Sequence, residues 1–256
     1  MQRLKGKIAI VTGASREKGI GGAICRALAF EGADIFFTHW VSYDESQEYG
    51  GDGSFPVFLK GQLSELGVRA GEMSINLAKP ETPEQLLDAV EHTLGTPTIL
   101  VNNATHEQVV DYRELTNEIL DMHYAVNVRG TSMLSTHFVQ RYGTVGGRII
   151  NLVSGQEKTP TPGNIAYETT KGAISIFTQC LAREVASLGV TVNAIDPGPT
   201  DSGWMTDKIK EFILPKFPMG RVGTPSDAAK LVTFLATDDA QWVTGQIIHS
   251  DGGFWD

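Results

Sequence analysis

The chain has 256 residues, 41% hydrophobic and 20% charged, a composition typical of a globular protein with one large or two small cores. Thirty acidic residues against 21 basic ones give a formal charge of −9, and no basic run or stripe interrupts the chain, so no nucleic-acid partner is expected. The basic N-terminus is followed by an apolar run of only Ile8 to Val11, too short for a signal peptide, and no stretch reaches transmembrane length, so no membrane association and a cytoplasmic location are expected.

Short β-branched runs alternate with helix-period segments. Strands are predicted at residues 7–12, 34–38, 71–75, 98–102, 148–153, 191–195 and 246–249, and helices at 21–31, 58–66, 83–93, 117–141, 165–188 and 226–236. Runs such as Ile8-Ala-Ile-Val and Ile99-Leu-Val are apolar throughout, as strands covered on both faces are. The pattern predicts an α/β protein with a single doubly wound parallel sheet of the Rossmann type, helices on both faces, in one domain over residues 1–256.

The first strand runs into Thr12-Gly-Ala-Ser-Arg-Glu-Lys-Gly-Ile-Gly21 and then a helix. Glycines at such a turn let the backbone approach a pyrophosphate, whose charge the helix N-terminus stabilises. Gly13, Ser15, Arg16, Lys18, Gly19, Ile20 and Gly21 are therefore candidate cofactor residues. The second strand ends in Thr38, His39 and Trp40, with no carboxylate before Asp44, where a site for NAD usually places one. Arg16 and Lys18 suit a 2′-phosphate, so NADP is favoured and NAD stays open. Residues 39–57 form a polar, Gly-rich insertion carrying Asp44, Glu45, Glu48 and Asp52, whose acidity argues mildly for NAD; it is expected to shape the adenosine end of the cofactor site.

Cys25 and Cys180 each lie in an apolar helical pattern and read as small core residues of a reducing compartment. The six histidines form no metal-ligand motif, and no metal is expected. A second long connection, residues 197–224, mixes Trp204, Met205, Phe212 and Phe217 with turn residues after the sixth strand, where such folds bind ligands.

Of six tyrosines only Tyr167 is followed four residues later by a lysine, Lys171, and Ser154 lies thirteen residues upstream of it. On a helix the pair shares a face. A free phenol titrates near 10, so about 4 kcal/mol of anion stabilisation would bring it to neutrality. An ammonium about 4 Å away supplies about that much at an effective dielectric of about 20. The spacing therefore predicts a phenol poised to exchange a proton near neutrality.

With Asn102-Asn103-Ala104 after the fourth strand, Asn127 in the long helix, Pro197-Gly198 after the sixth strand and a closing Asp251-Gly-Gly, these residues resemble the short-chain dehydrogenase/reductase family over essentially the whole chain. The resemblance implies that Tyr167 is the acid in ketone reduction and that Lys171 holds the cofactor ribose and depresses the phenol. It also implies that Ser154 binds the substrate oxygen and that Asn127 holds a water linked to Lys171. Asn103, Ala104 and Thr105 would follow the adenosine side, Asn76 and Leu77 the adenine, and Pro197, Gly198 and Thr200 the nicotinamide. Three departures stand out: five residues between Gly13 and Gly19 where the family usually has three, Thr105 for a glycine, and Asn76 for a frequent aspartate.

The longer glycine loop is similar to that of divergent enoyl reductases, but the four-residue Tyr-Lys spacing points to carbonyl chemistry. The overall pattern is most similar to 3-oxoacyl-[acyl-carrier-protein] reductases, which implies a small carbonyl substrate, carrier-bound or free, a place in fatty acid biosynthesis, and a homotetramer. Against a carrier, Leu188 stands where a basic residue often receives it, and the chain is itself acidic. Reduction of another small ketone, sugar or cyclic alcohol is the first alternative; a non-catalytic NADP-binding regulator is the second.

Overall fold

The computed structural model describes residues 2–155, 158 and 160–255. Seven strands form one sheet in the order β3-β2-β1-β4-β5-β6-β7. They are β1 (Ile8–Val11), β2 (Asp34–His39), β3 (Ala70–Ser74), β4 (Ile99–Asn102), β5 (Gly147–Leu152), β6 (Val190–Asp196) and β7 (Ile247–His249). Every neighbouring pair is parallel. The order reverses between β1 and β4, which opens a crevice beyond the strand C-termini.

Alternation along each strand divides the core into two layers. Val11, Phe37 and Val101 join the layer under α1 (Ile20–Phe30), α3 (Phe55–Glu65) and α9 (Pro225–Ala236), with Leu28, Leu59 and Val232. Ile10, Phe36 and Leu100 join the opposite layer under α4 (Thr82–Thr93), α6 (Thr131–Tyr142) and α7 (Ile165–Val185), with Leu87, Phe138 and Leu181. Burying a side chain such as Phe37 or Leu59 stabilises the fold by roughly 1.5–3 kcal/mol.

All seven predicted strands are present within about two residues, the margin common for such boundaries. The helix expected over 117–141 is α5 (Asn117–His123), a π-helical turn at Tyr124–Gly130 and then α6. That widened turn carries Asn127, and the apolar pattern gives no sign of it because the residues it buries, Asn127 and Gly130, are not apolar. Helix α3 begins at Phe55 because Pro56 sits in its first turn, where a missing N–H leaves nothing unbonded. The insertion is thereby shorter than expected, and it holds a helix of its own, α2 (Val41–Glu45). The loop after β6 includes α8 (Asp207–Ile213). Cys25 is buried as expected, but Cys180 is exposed, on the outer face of α7 between the buried Thr178 and Leu181.

A buried amide ladder ties the ends of the central strands to the helices. Asn102 Nδ2 donates to Asn151 Oδ1 at 2.8 Å and to Ser135 Oγ at 2.9 Å, and Asn151 Nδ2 donates to Thr178 Oγ1 at 2.9 Å. These bonds leave few ways for β4, β5, α6 and α7 to slide, since each broken one would strand a buried polar group. No helix among the described residues is long and apolar enough to cross a membrane.

Candidate active site

One cavity of about 850 Å³ lies beyond the C-terminal ends of the strands. It is bounded by the glycine loop, the start of the insertion, the loops after β3 and β4, residues 152–155, Tyr167 and Lys171 on α7, and residues 196–204.

The glycine loop is shaped by contact. A Cβ on Gly21 would lie 2.4 Å from the Gly13 carbonyl and 2.8 Å from Asn103 Nδ2, and Gly13 has φ +74 with Ala104 2.7 Å from where its Cβ would be. Only glycine fits either place. Helix α1 starts after Gly19 with no side-chain cap and no acidic residue in its first turn. Its N-terminal amides and positive dipole end are thus left for an anion, and the loop suits a pyrophosphate.

Around it, Thr38 serves the loop: its Oγ1 accepts from Gly13 N at 3.3 Å and its carbonyl from Ala14 N at 2.8 Å. Asn103 Nδ2 donates to the carbonyls of Thr12 and Gly13, both at 2.9 Å. Ser15, Ile20, Asn76, Leu77, Ala104 and Thr105 line the cavity, and the Asn76 carboxamide oxygen accepts from Ala78 N at 2.8 Å. Pro197, Gly198 and Thr200 line it too, with the Thr200 hydroxyl donating to the Pro197 carbonyl at 3.1 Å.

Arg16 lines the cavity but is held there. Its Nε lies 3.2 Å from Asp44, its Nη1 donates to the Ser202 carbonyl at 2.9 Å, and its guanidinium stacks 4.0 Å from the Tyr49 ring centroid. Lys18, expected beside it, is exposed and does not line the cavity, because the two extra residues of the loop carry it towards Gly203 on the outside. The insertion contributes Trp40, Ser42, Tyr43, Asp44 and Tyr49 to the wall.

Four further residues meet at the other end. Ser154 follows β5 and lines the cavity beside the Tyr167 phenol, whose pKa its side chain acts to lower. Lys171, buried one turn along α7, donates from Nζ to the Leu152 carbonyl at 2.8 Å and lies 5.5 Å from the Tyr167 ring centroid. The Asn127 side chain is fully used: Nδ2 donates to the His106 carbonyl at 2.9 Å and to Thr170 Oγ1 at 3.0 Å, while Oδ1 accepts from His106 N at 2.7 Å and Thr105 Oγ1 at 3.1 Å. The expected water linked to Lys171 would therefore be held by the Asn127 main chain and not by its side chain.

The electrostatics correct one expectation. Burial pushes the Tyr167 phenol up, not down, and the charges of Glu107 and Asp196 add to the effect, while the neighbouring Ser154 side chain opposes it. Burial also lowers Lys171 to about 8, so near that pH its charge is only partly present. In this state the phenol keeps its proton at neutral pH and is a weaker acid than free tyrosine, so a positive charge beside it is needed before it gives that proton up.

Sequence reasoning missed the polar floor of this end. His106, Glu107 and Asn164 all line the cavity, and the His106 ring packs between Tyr43 (5.3 Å) and His123 (4.7 Å). Burial lowers His106 to about 4, so its ring stays neutral. Their position just after β4 and at the start of α7, on the ligand side of a parallel sheet, was the available signal. Asp196, His249 and Asp251 also gather here; Asp196 is bonded by His249 at 2.8 Å and Asp251 is paired with Lys158 at 2.7 Å.

A family model described as enoyl-(acyl carrier protein) reductase matches residues 13–255. An uncharacterized oxidoreductase, YjdA, of Bacillus subtilis is 48% identical over 99% of both chains. The 3-oxoacyl-[acyl-carrier-protein] reductase FabG of Haemophilus influenzae is 34% identical over 98% of this chain and 99% of its own. Among solved structures, a blue fluorescent protein from a metagenomic library in complex with NADPH is 31% identical, with a TM-score of 0.87 over 99% of this chain and 100% of that one. The chain belongs to the short-chain dehydrogenase/reductase family of oxidoreductases.

Proposed function

We propose that this protein reduces a ketone carbonyl on a small molecule with NADPH. The observation that carries the reading is one cavity joining a pyrophosphate-shaped glycine loop to a protonated phenol, with Ser154 beside that phenol and Lys171 one turn away. When bound, NADPH supplies the hydride that reduces the carbonyl carbon.

Gly13, Ser15, Gly19, Ile20 and Gly21 hold the pyrophosphate, Asn76, Leu77, Asn103, Ala104 and Thr105 follow the adenosine, and Pro197, Gly198 and Thr200 face the nicotinamide. Ser154 donates a hydrogen bond to the carbonyl oxygen and so orients it. Tyr167 gives its proton to that oxygen as negative charge develops there, the kind of transfer worth about 10²–10⁴-fold in rate. Lys171 stabilises the phenolate left behind, and Asn127 fixes the loop after β4 against α7.

Arg16 in the cavity supports NADPH over NADH, since an adenosine 2′-phosphate offers its guanidinium a partner that a ribose hydroxyl does not. A free substrate is favoured over a carrier-bound one, because Leu188 is exposed and the chain carries −9, a charge that repels an acidic carrier. Exposed Ile165 and Ile176 on α7 suit burial against further copies of the chain in a homotetramer. The test is loss of NADPH absorbance with butanedione, butanone and an acetoacetyl thioester. Turnover of the small ketones supports the reading, whereas tight NADPH binding without turnover of any of the three would favour a regulatory protein.

A further inference from the structure

The cavity wall beside Tyr167 carries a carboxylate that the proposed reduction does not use. The main chain that presents it is fixed on both sides: His106 is clamped through its N–H and carbonyl by Asn127, at 2.7 and 2.9 Å. Glu107 N donates to the Tyr43 hydroxyl at 2.9 Å, and that hydroxyl lies 3.2 Å from the Glu107 carbonyl. Glu107 Oε1 accepts from Asn164 Nδ2 at 2.7 Å.

The other acids lining the cavity have charged or ring partners: Asp44 has Arg16 at 3.2 Å, Asp251 has Lys158 at 2.7 Å, and Asp196 has His249 at 2.8 Å. Among the described residues no cation lies within ion-pair distance of Glu107. An ionised carboxylate accepts about four hydrogen bonds, and one from Asn164 leaves most of that capacity open. The amide that grips it adds to the same surplus, because Asn164 Oδ1 is buried and has no partner. Its orientation is set by Glu107, since the flipped amide would place oxygen against oxygen. The pair therefore offers more acceptors than donors, with one N–H of the Asn164 amide left over, and the charge on Glu107 acts on both the Tyr167 phenol and Lys171.

We propose that Glu107, gripped by Asn164, selects ketones that carry a hydroxyl close to the reacting carbonyl and rejects ketones that carry a carboxylate there. This rests on the reading of the cavity as a ketone reductase site. A hydroxyl donating to the carboxylate fills its open acceptor capacity, and a second anion in its place meets a like charge that no cation within ion-pair distance neutralises.

Butanone, acetoin and oxobutanoate share a small carbon skeleton and differ in what stands beside the carbonyl, so NADPH oxidation by the native enzyme reads the selection directly. Acetoin is expected to exceed butanone in kcat/KM by roughly tenfold, and oxobutanoate to fall below butanone by at least roughly tenfold, the scale of one charge-assisted hydrogen bond. Glu107→Gln, close in shape, is expected to move the two ratios in opposite directions, lowering acetoin relative to butanone and raising oxobutanoate relative to it. A purely structural role would lower all three together, and that result overturns the proposal. So do native ratios within about twofold of unity, a difference too small for such a bond. If butanone is reduced as well as acetoin, only the selection fails; if none of the three, nor butanedione, oxidises NADPH, the reductase reading fails with it.

Discussion

Replacing Asn127 by aspartate changes one atom and tests how the site is braced. The nitrogen that donates to the His106 carbonyl at 2.9 Å and to Thr170 Oγ1 at 3.0 Å becomes an oxygen. Thr170 can turn its hydroxyl, which now donates to the Tyr167 carbonyl at 2.8 Å, but the His106 carbonyl has no such freedom. If the new carboxyl stays charged, it is a buried anion facing a carbonyl, a defect of about 3–5 kcal/mol. If it takes a proton to restore the donor, holding it at neutrality against an ordinary value of about 3.9 costs about 4 kcal/mol. Either route predicts a loss of about 3–4 kcal/mol, and at about 2–4 °C per kcal/mol for a chain of this size the melting temperature is expected to fall by about 10 °C. The folded carboxyl is raised above its unfolded value, so the folded variant binds its proton more tightly. The deficit against the native protein is thus full at neutral pH and shrinks as pH falls towards about 4. Melting by circular dichroism across that range measures it. A melting temperature within about 2 °C of native at neutral pH, or a deficit that grows on acidification, would refute the bracing role.

Because Lys171 is lowered to about 8 and its charged form is the one that steadies the phenolate, NADPH-dependent reduction is expected to hold level on the acid side of that value and decline as pH rises through it. A pH–rate profile checks this, and a rate that climbs through that range would contradict it. Arg16→Ala is expected to lower the preference for NADPH over NADH by roughly tenfold, the scale of one charge-assisted contact, while Lys18→Ala leaves it nearly unchanged. Comparing kcat/KM for the two cofactors decides, and equal effects from both variants would show that Lys18 reaches the cofactor after all. Gly21→Ala drives a Cβ to 2.4 Å from the Gly13 carbonyl, so cofactor affinity measured by fluorescence titration is expected to collapse; native affinity would mean the loop is not the pyrophosphate cradle.

The sheet was legible because its strands are continuous apolar runs such as Ile8-Ala-Ile-Val, which burial on both faces requires. The glycine loop, Ser154, Tyr167 and Lys171 were legible because each sits at a strand end or on one helix face, positions that spacing alone specifies. What escaped depends on contacts between distant segments. Arg16 meets Asp44, Tyr49 and Ser202 only through the packing of three loops. The π-helical turn at Asn127 buries only Asn127 and Gly130 and so leaves no apolar mark, and the Glu107–Asn164 bond joins residues 57 apart. The phenol was misjudged for a related reason. Spacing reports the lysine four residues away but not the desolvation and the neighbouring carboxylates of Glu107 and Asp196 that outweigh it.

Tyr167→Phe removes the phenolic oxygen and leaves the ring, so cofactor binding and folding have little reason to change while the proton donor is lost. With NADPH and whichever ketone the native protein reduces best, the turnover number is expected to drop by roughly 10²–10⁴-fold with NADPH affinity close to native. Turnover equal to that of the native protein would show that some other group delivers the proton.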